Sequence, residues 1–155
     1  MTPDEFRTLM QPIARAIADR SVDQTLEDFL NREYPADGET VRRLEAACHD
    51  GIAGGWLCTQ GGSGRRFGRA IEPAPDMANL SVDVVDLTDI VGPHHRHPNG
   101  EICLSLPVTE GARFQGNGKG WCVFGPGSDH RPTVTGGRAL VLYLLPGGAI
   151  EFTGQ

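Results

Sequence analysis

The stretch "GPHHRHPNGEICLSL", Gly92 to Leu106, decides how the rest of the chain is read. Three histidines, His94, His95 and His97, fall within four positions, Glu101 follows, and an alternating apolar run comes next. Period-two alternation marks a strand, because successive side chains leave a strand from opposite faces. His95 and His97, two apart, therefore project from one face of an extended segment. Pro98, Asn99 and Gly100 have the composition of a tight turn. Glu101 opens the next strand, whose inward face continues with Cys103 and Ser105, while Ile102, Leu104 and Leu106 face an opposite packed layer.

Around this segment the chain reads as short strands: residues 55–60, 66–72, 80–91, 101–108, 112–116, 120–124, 130–136, 138–145 and 149–152. Several alternate with period two and are separated by Gly, Pro and Asp turns, the pattern of an antiparallel sandwich or barrel. With no helices between the strands, a parallel α/β sheet is excluded. Glycine divides the chain: of 21, only Gly38 lies in the first fifty residues, so the first third is free to be helical. One helix is predicted to open at Thr2, with Pro3 at its first position, a T-x-x-E capping box closed by Glu5, and Phe6, Leu9, Met10, Ile13 and Ile17 at helical spacing around Pro12. A second is predicted over Asp23 to Glu33, stopping before Pro35, and a third over Glu39 to His49. The expected organisation is a helical extension, 1–52, packing on the barrel or forming an oligomer interface, followed by a β-barrel, 53–155, that carries the site.

Four of the five histidines, His94, His95, His97 and His130, lie in two short segments, the second being "GPGSDHRPTV". Imidazoles with a carboxylate suit a borderline divalent transition ion and suit Mg or Ca poorly. His95, His97, Glu101 and His130 are thus the candidate ligands of one divalent ion, with Fe, Mn or Zn expected. A net charge of −6 argues against nucleic acid or an anionic membrane as partner. No apolar run approaches the ~20 residues of a membrane span, and the first residues lack a secretory h-region. A cytoplasmic protein is expected, with Cys48, Cys58, Cys103 and Cys122 as free thiols, and no G-x-G-x-x-G unit calls for a nicotinamide or flavin.

The pattern His95-x-His97-x3-Glu101, followed by Gly120-x5-Pro126 and then His130, resembles the two signature motifs of the cupin superfamily. It departs from them twice: Asp89 stands where the usual glycine precedes the first histidine, and one residue fewer than usual separates Pro126 from His130. The helical first third, "GGSGRRFGRA", "GPHHRHPNGEI", "GPGSDHRPTVTGG" and "ALVLYLLPGGAIEF" together resemble the small bacterial family of 4-hydroxylaminobenzoate lyase, over nearly the whole chain. That resemblance implies a mainly β, cupin-type antiparallel barrel and conversion of 4-hydroxylaminobenzoate to 3,4-dihydroxybenzoate (protocatechuate) with release of ammonia, a step of nitroarene catabolism. Glu101 is then either ligand or general base, His130 a ligand with a catalytic part, and His94 a candidate proton shuttle, although alternation with His95 turns it to the other face. The aromatic carboxylate needs a cation, for which Arg65, Arg69 and Arg131 are candidates, and Trp121, with Trp56 and Phe124, is a candidate wall for the ring. A homodimer or higher homo-oligomer is expected. Two other readings stay open: an Fe(II) cupin dioxygenase acting on an aromatic substrate, and a cupin that binds an aromatic acid without turnover.

Overall fold

In a computed structural model, which describes all 155 residues, three helices precede ten strands. Helix α1 (Pro3–Ile17) is capped by Thr2, whose hydroxyl oxygen accepts from the Glu5 N–H and whose O–H donates to the Glu5 carboxylate. Pro12 sits inside it and the helix continues. Helix α2 (Gln24–Glu33) starts one residue later than expected, because the Asp23 carboxylate caps the Thr25 and Leu26 N–H groups from outside the helix.

Helix α3 (Glu39–Ala53) runs four residues past the predicted end at His49. Gly51, inside the helix, is kept for packing: a Cβ there would lie 2.5 Å from Leu57 Cδ1. Its carbonyl then accepts from both Trp56 and Leu57 N–H at 3.1 Å, closing the helix end. That closure also overturns the strand expected over 55–60. Residues 54–59 form a turn that drops Leu57 and Cys58 into the core, and Cys58 at φ 52° breaks the extended run.

The strands are β1 (Gln60–Gly62), β2 (Arg65–Ile71), β3 (Leu80–Val91), β4 (His95–His97), β5 (Glu101–Pro107), β6 (Arg113–Phe114), β7 (Gly120–Phe124), β8 (Ser128–His130), β9 (Thr133–Pro146) and β10 (Glu151–Phe152). They build two antiparallel sheets. The larger has seven strands in the order β1-β2-β3-β9-β5-β7 with β6 beside β9; the smaller is β10-β4-β8. The fold is thus mainly β, two antiparallel sheets preceded by three helices.

One expected boundary disappears: the segments predicted as 130–136 and 138–145 are mostly a single strand, β9, which continues through Gly136 and Gly137. The pairing of β3 with β9 slips there, between Thr88 and Ile90. Gly137 takes φ 126°, and a Cβ on it would meet Thr109 at 2.5 Å, so a glycine carries the strand through the irregularity. Opposite, Asp89 takes φ 42°, the left-handed backbone that the usual motif glycine would supply, and its carboxylate accepts from the Gly137 N–H at 2.9 Å. Short polar side chains tolerate that conformation best after glycine, so the substitution keeps the bend.

Alternation along β3, β5 and β9 produces two buried layers, as Leu106 and its neighbours suggested. Val82, Val84, Ile102, Leu104, Leu106, Leu140, Leu142 and Leu144 share one cluster of 25 residues with Phe6, Met10, Ile13, Leu26, Leu30, Val41 and Leu44 of the helices. The helical faces are therefore covered within the chain, by the outer face of the large sheet. Leu87, Cys103, Phe114, Cys122, Val134, Ala139 and Val141 form a smaller cluster on the opposite, inner face. No helix is long and apolar enough to cross a membrane.

Candidate metal centre

The inner face carries the polar cluster. His95 and His97 both point inward from β4, buried on either side of an exposed Arg96. The turn at Pro98–Gly100, with Gly100 N–H donating to the His97 carbonyl, returns the chain so that Glu101 starts β5 on the same side. Strand β8 pairs with β4 so that His130 lies directly opposite His95, and the Gly127 N–H fixes that approach by donating to the His97 carbonyl at 2.8 Å. The shortened spacing after Pro126 thus still delivers His130 to the cluster. Ring centroids are 4.5 Å apart for His95 and His97, 4.7 Å for His95 and His130, and 5.2 Å for His97 and His130.

All three Nε2 atoms approach the Glu101 carboxylate: His97 at 2.5 Å, His130 at 3.7 Å and His95 at 4.0 Å. The ligating atoms of His95, His97, Glu101 and His130 lie within 4.8 Å of one another. Both ring nitrogens of His95 and His97 and Nε2 of His130 are buried without a hydrogen-bond partner, so even the short His97–Glu101 contact lacks hydrogen-bond alignment. An orphaned buried polar atom costs about 1–3 kcal/mol, and one ion held by the cluster would satisfy one nitrogen of each of the three rings. A divalent cation fits, and the protonation states agree. Burial, then repulsion from His97 and His130, pushes His95 down to about 4, and burial also lowers His130. Burial would raise Glu101, but His97, Cys103 and His130 together hold its carboxyl below the ordinary range. Neutral imidazoles at His95 and His130 beside an ionised carboxylate are what a borderline transition ion takes.

The cluster opens onto a cavity whose wall includes Arg65, Phe67, Val85, Leu87, His95, Glu101, Phe114, His130, Val141, Tyr143 and Phe152. Glu101 is the sole carboxylate of that wall. Tyr143 is its one phenol, pushed well above its ordinary value by burial and by the Asp83 and Glu101 charges, hence a neutral O–H donor. The Arg65 guanidinium lies over the Phe67 ring, 4.5 Å from its centre.

Of the residues singled out from the sequence, His95, His97, Glu101, His130 and Arg65 are brought together, and Phe124 stands edge-on to His130 at 4.8 Å. His94 is not. It leaves β4 on the other side, its Nε2 2.8 Å from Asp129 Oδ2 and its Nδ1 against the Thr153 hydroxyl. Arg69 is tied to Asp83 at 3.1 Å and to the Gly148 carbonyl at 2.9 Å, and Arg131 reaches the Gln155 carbonyl; neither lines the cavity. Trp121 is turned the wrong way to wall a substrate. On β7 the pairing of Glu101 with Phe124 and Cys103 with Cys122 turns Phe124 and Cys122 inward and Trp121 outward, where its indole N–H donates to the Tyr34 carbonyl at 3.0 Å. Trp56 likewise packs on Phe6 of α1. The sequence reading missed Phe67, Phe114, Tyr143 and Phe152. The parity of β2 and β9 would have found Phe67 and Tyr143, whereas Phe114 and Phe152 sit in two-residue strands with no periodicity to read.

A family model described as "PnbB: 4-hydroxylaminobenzoate lyase" matches residues 8–152. A 4-hydroxylaminobenzoate lyase of Nocardioides sp. (strain LMS-CY) is 30% identical, over 97% of this chain and 95% of its own length. One from Pseudomonas putida is 29% identical, over 98% of this chain and 96% of its own. Among solved structures, a protein of unknown function with a cupin-like fold from Ralstonia eutropha JMP134 aligns with a TM-score of 0.44 at 15% identity, over 59% of this chain and 60% of its own. The chain belongs to the 4-hydroxylaminobenzoate lyase family.

Proposed function

We propose that this protein is a metal-dependent lyase that converts 4-hydroxylaminobenzoate and water to 3,4-dihydroxybenzoate and ammonia. The reaction breaks the N–O bond, forms a C–O bond at the neighbouring ring carbon and replaces the C–N bond by a second C–O bond. The nitrogen is reduced as the ring carbon is oxidised, so no external electron carrier is needed. The observation that carries the reading is the His95–His97–Glu101–His130 cluster at one end of an aromatic-lined cavity whose wall also holds Arg65.

In this reading the three imidazoles and Glu101 would hold one divalent transition ion, which would supply Lewis acidity. Arg65 pairs with the substrate carboxylate through its planar fork. Phe67, Phe114 and Phe152 flank the ring and keep bulk water from it. Glu101, the sole carboxylate of the wall, serves as the anionic ligand, and the Tyr143 phenol is a donor toward the departing nitrogen or oxygen.

Turnover under argon tests this. Metal-analysed protein with 4-hydroxylaminobenzoate is expected to yield equimolar 3,4-dihydroxybenzoate and ammonia. Products that appear only with oxygen would replace the lyase by a dioxygenase, and tight binding without any product would leave a binding protein.

A further inference from the structure

Cys103 follows Glu101 by two positions on the inner face of β5, and its thiol donates to Glu101 Oε1 at 2.6 Å. Both side chains are sealed from solvent, with Cys103 0% and Glu101 3% exposed. Directly across on β7 stands a second buried thiol, Cys122. The other carboxylate oxygen, Oε2, is the one that meets His97 Nε2. A carboxylate on a flexible stem can offer either oxygen or both to an ion, and a single donor on Oε1 removes that freedom.

We propose that Cys103 is the positioning residue of the metal carboxylate: its S–H holds Oε1, which also lies 3.7 Å from His130 Nε2, and so turns Oε2 toward His95 and His97. This rests on the reading that the cluster binds a metal and is independent of which substrate is turned over. A partner that orients a ligating group contributes to affinity without touching the ion. A thiol donates weakly, so it fixes the carboxylate's direction without competing for its charge.

The test uses Co(II) as probe on the full chain, with affinity from competition against a chromophoric chelator and geometry from the visible spectrum. Cys103→Ala is expected to weaken Co(II) by roughly 10- to 100-fold and to change the d–d bands. Cys103→Ser, which restores an O–H donor, is expected to recover affinity to within a few-fold of the parent, and Cys122→Ala, which opens space in the same cluster without touching Glu101, is expected to leave both readouts near the parent's. Cys103→Val, of similar volume, serves for alanine if the latter does not fold. Unchanged affinity and spectrum in the Ala or Val variant would overturn the assignment, as would a sulfur-to-cobalt charge-transfer band in the parent that Cys103→Ser abolishes, since Cys103 would then be a ligand. Failure of the parent to bind Co(II) would overturn the metal reading itself, and this assignment with it.

Discussion

Replacement of Arg65 by methionine separates recognition of the substrate's carboxylate from the chemistry. Arg65 is half-buried, lies against Phe67 and lines the cavity. A hydrogen-bonded contact to a charged group is worth about 1.5–3 kcal/mol. That corresponds to roughly a 10- to 150-fold fall in kcat/KM, and partial exposure places the expectation toward the lower end. Methionine keeps most of the stem's packing on Phe67 while removing the charge and the fork. Initial rates would be compared for 4-hydroxylaminobenzoate and for phenylhydroxylamine, which lacks the carboxylate. The loss is expected on the first substrate and to be within about twofold on the second, mostly in KM if the contact is equal in ground and transition states. Arg69→Met, at a residue already engaged with Asp83 and Gly148, is expected to leave the ratio of the two rates unchanged. Equal losses on both substrates in Arg65→Met would refute the assignment of Arg65 to the carboxylate.

Other outcomes follow from the same geometry. His97→Ala is expected to lose bound metal and activity together, read by elemental analysis and turnover, because it removes the most deeply buried imidazole of the cluster. Trp121→Phe should cost about 1–3 kcal/mol in urea unfolding by leaving the Tyr34 carbonyl unpaired, with kcat/KM unchanged, since the indole faces the helices. Leu142→Ala, in the cluster shared by helices and sheet, should cost about 2–5 kcal/mol and shift the helical and strand signals of circular dichroism together. For the metal-stripped chain, His95 at about 4 lies below its ordinary 6.5, so the unfolded chain binds more protons between those values. The stability His95 contributes is present above about pH 6.5 and lost as pH falls toward 4. Urea midpoints should rise across that window, and His95→Gln should flatten the rise.

The sequence made the inner parity of β4 and β5 legible because both strands alternate cleanly and the histidines are polar markers on an otherwise buried face. Helix starts were legible for the same kind of local reason: Thr2 and Asp23 are side-chain caps, whose partners lie within three residues. What failed was decided by contacts distant in the chain. The end of α3 depends on Leu57 packing onto Gly51, and the continuity of β9 through Gly136–Gly137 depends on Asp89 and Thr109. Trp121 was misread because an aromatic residue at the edge of a candidate site carries no label of its face; only its pairing across from β5 shows that it belongs to the helix side. Arg69 was misread because a strand parity shared with Arg65 says nothing of Asp83, which claims its guanidinium.

If the buried His–Glu cluster makes this chain a metal-dependent lyase, activity must follow metal occupancy. Protein stripped with a chelator and reloaded in steps with Fe(II), Mn(II) or Zn(II) under argon would be assayed for ammonia release from 4-hydroxylaminobenzoate at each step. Turnover is expected to rise in proportion to bound metal, to reach its limit at about one ion per chain, as one cluster of four ligands requires, and to be absent in His97→Ala at every step. Full turnover in the stripped protein, or occupancy of the site without any ammonia, would contradict it.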